Sequence, residues 1–203
     1  MKLFYKPGAC SLASHMVLRE IGAKFELISV DTDAGVTEFG DNYLAVNPRG
    51  YVPALQLDDG EVVTEGAAVL QFIAEQADSN LIPPAGTMAR TRLQEFLNYT
   101  SSEVHKAFSP LFSSNATEAE QLNATNNVRR KFNHLETVLS DGRQYLLGKD
   151  FSVADAYMAV VCNWAQFKNI DISLWPHVAS FVDRVLSRPT ARAAMMAEGL
   201  IAE

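Results

Sequence analysis

The first 77 residues alternate between two hydrophobic patterns, and beyond residue 87 only one of them continues. Lys2–Tyr5 carries the apolar run Leu3-Phe4-Tyr5 and stops at Pro7-Gly8, which predicts a short strand. Leu12/Met16 and Ala13/Val17/Ile21 recur at helical spacing and predict a helix over Ser11–Ile21. Phe25–Val30 predicts a second strand. Residues 31–47 are polar and contain glycine, and they predict irregular chain with at most a short helix. Val52–Leu57 and Glu61–Thr64 flank Asp58-Asp59-Gly60, a hairpin signal. Ala67, Leu70, Ile73, Ala74 and Ala77 share one face of a helix over Glu65–Ala77. The order is βαβ, a loop, then ββα. A crossover helix lets the first two strands run parallel, and the hairpin makes the last two antiparallel.

Asp78–Gly86, with Pro83-Pro84 and Gly86, reads as a linker. After it the strand signal almost vanishes. Leu93, Leu97, Val104, Phe108 and Leu111 predict one helix over Thr87–Ser113. Thr117-Glu118-Ala119-Glu120 has the form of a capping box and starts a helix that ends at Asp141-Gly142. Ser152-Val153-Ala154-Asp155 repeats the form, with Phe151 in front as a staple residue, and opens a helix to about Phe167. Pro176–Ser187 and Pro189–Glu198 complete the set. The expected organisation is an α/β domain over 1–80 and an all-α domain over 87–203.

Composition narrows the function classes. The 203 residues are 48% hydrophobic and 20% charged, enough to bury a core without disulfides. A net charge of −7 argues against non-specific nucleic-acid binding, so any anionic ligand needs a local site. Two cysteines, Cys10 and Cys162, do not form a secreted disulfide framework. No apolar run has the length of a membrane span, and Met1–Pro7 breaks too early for a signal peptide. A cytoplasmic protein without membrane or nucleic-acid partners is expected. No metal-ligand spacing occurs, and no metal is expected; a P-loop and G-x-G-x-x-G are also missing.

The chemistry concentrates where strands meet helices. Cys10-Ser11 follows a strand and a Gly turn and opens a helix, where free N–H groups and the macrodipole favour thiolate. Ser11 either caps that helix or donates a hydrogen bond to a bound thiolate. Position 13 is alanine, so no resolving cysteine stands in a Cys-x-x-Cys, and dithiol redox chemistry is disfavoured. Val52-Pro53 precedes a strand, as plain punctuation or as a cis proline that turns the Val52 N–H and C=O toward a ligand. Thr64-Glu65-Gly66-Ala67 joins a strand to a helix. Bare N–H groups there suit a carboxylate and Glu65 suits an ammonium, together an α-amino-acid end group. Asn98, Ser102, His105 and Ser109 form a polar stripe at helical spacing, either a solvated face or part of a site. His105-Lys106 in it offers a proton donor or a positive charge. His15, His134 and His177 match no constellation.

Taken together, these pieces resemble the bacterial glutathione transferases of the beta class, nearly end to end. They are Lys2 to Leu12 with its Pro-Gly-Ala-Cys-Ser-Leu, Asn47-Pro48-Arg49-Gly50-Tyr51-Val52-Pro53-Ala54-Leu55, Thr64-Glu65-Gly66, Ser102-Glu103-Val104-His105-Lys106 and Phe151 to Tyr157. The resemblance implies a thioredoxin-like N-terminal domain, an all-α C-terminal domain that completes the active site and forms the apolar pocket, and a homodimer. It implies glutathione as co-substrate and an apolar electrophile as its partner, in detoxification and stress defence. Cys10, Ser11 and His105 would be catalytic. Val52, Pro53, Glu65, Gly66, Asn98, Ser102, Glu103 and Lys106 would bind glutathione, with Ser102 and Glu103 also able to come from the neighbouring subunit's side. Ser152 and Asp155 would serve folding. Tyr157 and Trp164 would line the second-substrate pocket, against ordinary core packing as the plainer reading.

One departure stands out. Relatives often carry a lysine near positions 34 and 35 that contacts glutathione, and this chain has Ala34 and Gly35. Weaker binding of the glycyl carboxylate is expected, or a substitute cation such as Lys106 or Arg49, with Gly35→Lys as the restoring change. The rival activities on the same scaffold are a thiol–disulfide reductase working through Cys10, a non-catalytic ligand-binding protein, and a dehalogenase or isomerase.

Overall fold

The computed structural model describes residues 1–77 and 79–202, so Asp78, the first residue of the expected linker, lies outside the described residues. The chain forms two units: Met1–Ser79 together with Ser187–Glu203, and Asn80–Leu186.

The first unit is built on a five-stranded sheet: β1 (Lys2–Tyr5), β2 (Glu26–Asp31), β3 (Val36–Thr37), β4 (Ala54–Gln56) and β5 (Val62–Thr64), in the order β3-β2-β1-β4-β5. Helix α1 (Ser11–Glu20) crosses from β1 to β2, which run parallel with Leu3 opposite Leu27. β4 lies antiparallel to β1, and β5 antiparallel to β4. This is the βαβ-ββα order of a thioredoxin-like fold. The hairpin closes as Asp58-Asp59-Gly60 requires, with the Leu57 N–H on the Glu61 carbonyl at 2.8 Å. One sheet face buries Phe4, Ile28, Val30, Tyr43 and Ala54. Helix α2 (Gly66–Glu75) follows β5 and packs against α1. The 31–47 segment, expected to be irregular, supplies the two-residue β3 and a single 3-10 turn over Tyr43–Ala45.

The second unit is all helical: α3 (Met88–Tyr99), α4 (His105–Phe112), α5 (Glu118–Leu139), α6 (Val153–Asn163) and α7 (Pro176–Leu186). Helix α6 is buried over Val153–Cys162, as an almost wholly apolar helix must be when it runs through a core. Both capping boxes form, Thr117 with Glu120 and Ser152 with Asp155. The single helix expected over Thr87–Ser113 is interrupted by a π-helical turn at Thr100–Val104. Three consecutive hydroxyls account for it. Thr100 donates to the Phe96 carbonyl at 2.7 Å, and Ser101 and Ser102 both donate to the Asn98 carbonyl, competing with the backbone N–H groups for those acceptors.

The expected domain boundary needs one correction. Helix α8 (Pro189–Ala197) and the residues after it belong to the first unit and not to the helical one. Helix α8 packs on α1, Glu20 takes Arg188 and Thr190, and Glu198 takes His15 and Gly8. Those partners are 168 to 190 positions apart in sequence, a range that hydrophobic periodicity does not report.

Asp155 is the most exacting polar group of the helical unit. Its carboxylate accepts from the Leu146 N–H at 2.7 Å, the Ser152 N–H at 2.8 Å and the Ser152 hydroxyl at 2.6 Å, all buried. Asp155→Ala strands these donors and is expected to cost about 3 kcal/mol, read as a lower urea midpoint at unchanged slope.

Candidate active site

The β1–α1 turn sets the position of Cys10. Gly8 has φ +70°, and its N–H donates to Glu198 Oε2 at 2.9 Å. The Ala9 N–H closes the turn on the Lys6 carbonyl at 3.0 Å. Ser11, fully buried, accepts from the Lys6 N–H at 3.2 Å and donates to the Lys6 carbonyl. Its hydroxyl is therefore spent on holding the turn. Cys10 is the N-cap of α1 and remains partly accessible, with its thiol donating to the Val52 carbonyl at 3.3 Å.

Burial pushes the Cys10 thiol up to about 12, against the downward pull of the Cys10 and Ser11 N–H groups and with a further rise from the Glu65 charge. This overturns the expectation that the helix start favours thiolate. The helix end does act in that direction, but desolvation outweighs it.

The Val52–Pro53 peptide is cis. The loop before it is fixed by the Tyr43 hydroxyl and the Asn47 amide, both donating to the Tyr51 carbonyl, at 2.6 and 2.8 Å. The Val52 N–H has no backbone partner among the described residues. Pro53 is buried and leads directly into β4.

Glu65 ends the β5–α2 connection at φ +66°, a costly conformation for a residue with a side chain. It caps α2 without a side-chain hydrogen bond, which leaves the first N–H groups of the helix, at Gly66 and Ala67, open. The carboxylate is exposed and meets Arg49 Nη1 at 2.9 Å. Both partners are more than 60% exposed, so the pair is weak and an incoming ammonium can displace it.

The lysine-less turn is now defined. Asp31 accepts from the Asp33 and Ala34 N–H groups, and those bonds hold its carboxyl below the usual range. Gly35 has φ +69°, and a Cβ there would meet Leu44 Cγ at 3.3 Å. Gly35→Lys is therefore strained on two counts, and the exposed Ala34 is the position that accepts a side chain.

In the second unit, His105 begins α4 directly after the π turn, a helix irregularity that recurs at functional sites. Its Nδ1 lies 2.9 Å from the Tyr157 hydroxyl, and its ring meets Trp164 edge-on at 4.8 Å. Burial, with Lys106 second, lowers the imidazole to about 4. At neutral pH His105 is uncharged, so it supplies a hydrogen bond and not the positive charge considered from sequence. Trp164 also meets Phe108 and Phe112, and Lys168 Nζ lies 4.1 Å over the Phe112 ring. Tyr157 and Trp164 are both buried beside His105, as the core-packing reading has them.

Asn98, Ser102 and Lys106 are exposed, and Ser102 donates to the Asn98 carbonyl at 2.8 Å. Glu103 pairs with Lys131. The π turn breaks the uninterrupted α spacing from which the polar stripe was read. Reading the sequence alone missed Lys168, Phe112 and the buried His15. The run Thr100-Ser101-Ser102 was the signal for the π turn, whereas nothing near His15 announces Glu198.

Two family models match the chain: "Glutathione S-transferase, N-terminal domain" over residues 8–76 and "Glutathione S-transferase, C-terminal domain" over 99–189. Glutathione S-transferase GstA of Escherichia coli O157:H7 is 43% identical over 98% of this chain and 100% of its own length. The bacterial beta class glutathione S-transferase of Sphingomonas chungbukensis superposes with a TM-score of 0.96 at 44% identity, covering 99% of this chain and 100% of that one. A sphingomonad glutathione S-transferase complexed with glutathione gives 0.95 at 43% identity, over 99% and 100%. With both family models matched and relatives aligned along its whole length, the chain belongs to the glutathione S-transferase family, beside its bacterial beta-class members.

Proposed function

We propose that this protein binds glutathione, stabilises its thiolate and adds it to apolar electrophiles. The observation that carries the reading is the Cys10 thiol, held at the N-cap of α1 and hydrogen-bonded to Val52 beside cis-Pro53. Burial holds that thiol above its ordinary range, which favours donation of its hydrogen over attack by its sulfur. As a donor it is always present. Cys10 Sγ–H is suited to hydrogen-bond the glutathione sulfur, which holds that sulfur as thiolate and lowers its pKa.

The remaining roles follow from the groups left unpaired. The Val52 N–H, unpaired among the described residues, and the Val52 C=O, once the Cys10 thiol turns from it to the glutathione sulfur, pair with the cysteinyl backbone as an added strand would. The open N–H groups at Gly66 and Ala67 receive the γ-glutamyl carboxylate, and Glu65 exchanges Arg49 for the ammonium. Asn98, Ser102, Glu103 and Lys106 are assigned to glutathione on the family resemblance alone, and His105 as a neutral hydrogen-bonding group. Ser11 positions the turn. Tyr157 and Trp164 give the electrophile an aromatic wall. A homodimer fits the exposed Phe39 and Tyr51, 71% and 70% accessible, which a subunit contact would cover. The free state of both cysteines fits a reducing cytoplasm, and detoxification fits the chemistry. Among the described residues no helix is long and apolar enough to cross a membrane, and no three His, Cys, Asp or Glu side chains are grouped to hold a metal.

Three outcomes are expected. Cys10→Ala removes the slow thiol–disulfide exchange that a raised thiol still supports, with any glutathionyl adduct seen by intact mass after long incubation with oxidised glutathione, yet keeps conjugation of an aryl halide at a reduced rate. Equal loss of both activities would favour a nucleophilic Cys10. Ala34→Lys restores a cation near the glycyl carboxylate and tightens glutathione two- to fivefold by calorimetry, about 0.5–1 kcal/mol.

The third concerns acid. The folded pKa of His105 is about 4, below its unfolded value near 6.5, so the unfolded state binds more protons between those limits. Stability is lost as pH falls from 6.5 to 4, by about 3 kcal/mol from this group. His105→Gln should flatten that slope in denaturant titrations.

A further inference from the structure

Helix α6 gives way to a 3-10 turn over Trp164–Lys168, which Asn169 ends at φ +53°. The turn delivers two side chains to Phe112, the last residue of α4. Trp164 meets the Phe112 ring edge-on at 5.3 Å, and Lys168 Nζ lies over that ring, 4.1 Å from its centre. Trp164 also meets His105, which begins α4 about 10 Å before Phe112 along the helix. His105, Trp164, Phe112 and Lys168 therefore form one continuous row within the helical unit. Trp164 is buried, whereas Phe112 is 52% exposed and Lys168 half-buried.

Lys168 has no negative partner. Among the described residues it enters no ion pair and no side-chain hydrogen bond. Asp171, the acid nearest to it in sequence, accepts instead from the Ser173 N–H and hydroxyl, at 3.0 and 2.6 Å. At the other end of the row His105 is neutral and Lys106 adds a second cation. An ammonium held only by the face of an exposed ring is weakly committed. It has three N–H donors, and a carboxylate binds them more strongly than an aromatic face does.

We propose that the electrophile this row accepts carries an acid group: an aryl or unsaturated carboxylate whose apolar body lies along Phe112 and whose carboxylate draws Lys168 off the ring. The inference rests on the transferase reading, with His105 at the reacting end, and narrows its apolar electrophiles to those with a negative charge at the far end. Lys168 is then the residue that selects among them. An uncharged electrophile leaves the ammonium where it is, whereas an acid gains charge-assisted hydrogen bonds from it. If Lys168 only covers Phe112, charge on the electrophile has no consequence.

The probes are 4-chloro-3,5-dinitrobenzoate and its methyl ester, which share the ring, the leaving group and a carbonyl para to the carbon attacked. In each, the glutathione sulfur bonds to that carbon, chloride leaves with the carbon–chlorine electron pair, and the thiol proton passes to solvent. Rates above the uncatalysed reaction are measured for the wild-type protein, for Lys168→Met, which keeps the stem without the charge, and for Lys168→Arg. The acid-to-ester ratio of kcat/KM should fall about tenfold in Lys168→Met, mainly through the KM of the acid, and return to within about threefold in Lys168→Arg. Added salt should raise the KM of the acid relative to that of the ester in the wild-type protein, a reading that needs no variant. A ratio equal in all three proteins, a loss that Lys168→Arg does not reverse, or a KM of the acid indifferent to salt overturns the proposal. Turnover of the ester by the wild-type protein separates that failure from failure of the transferase reading, in which neither probe reacts above the uncatalysed rate and the proposal falls with it.

Discussion

The buried carboxylate of Glu198 is the contact on which the β1–α1 turn depends. One oxygen receives the Gly8 N–H and the other the His15 ring, and both side chains are shut away from water. A carboxylate in such a place is tolerable only when its lone pairs are answered. The requirement runs both ways: Gly8 must keep a positive φ that presents its N–H, and α1 must hold His15 facing α8. Cys10 follows two residues later, so the attitude of its thiol is inherited from an acid near the far end of the chain. Ser11, spent on Lys6 from the other side, removes the remaining freedom of the turn.

Desolvation explains the balance of chemistries at that thiol. The same close packing that orients Cys10 raises its pKa, which moves it away from attack and toward hydrogen-bond donation. His105 shows the mirror case, a base kept neutral by burial against Tyr157 and Trp164. Neither group carries charge of its own at neutral pH. On the proposed reading a bound thiolate is stabilised by an oriented neutral donor such as the Cys10 thiol, which needs no reorganisation as the reaction proceeds.

Much of this was readable from local pattern. Period-two runs, the Asp58-Asp59-Gly60 turn and the two capping boxes are short-range signals, and the elements they predicted are present. Three things were not readable, each for a physical reason. The return of α8 to the first unit rests on Glu20 and Glu198, whose partners lie more than 160 positions away. The π turn interrupts a stretch whose apolar spacing is nearly the same for one long helix. The state of Cys10 depends on how much water it loses, and a sequence motif at a helix start reports the dipole but not the burial. Motif residues such as Val52, Pro53, Glu65 and Gly66 were found because unusual backbone leaves compositional traces. The Arg49–Glu65 pair left none, since exposed charges commit to no partner in advance.

The placement of Ser187–Glu203 in the first unit bears on how the protein is made. A chain emerging from the ribosome releases its sheet and α1 first, and domains usually fold in that order. Here the early unit lacks the groups that satisfy Gly8, His15 and Glu20 until the whole helical unit has been synthesised. The β1–α1 turn is among the first segments to appear and one of the last to be finished, so a nascent chain spends most of its synthesis with Cys10 present but without the Glu198 contacts that hold its turn.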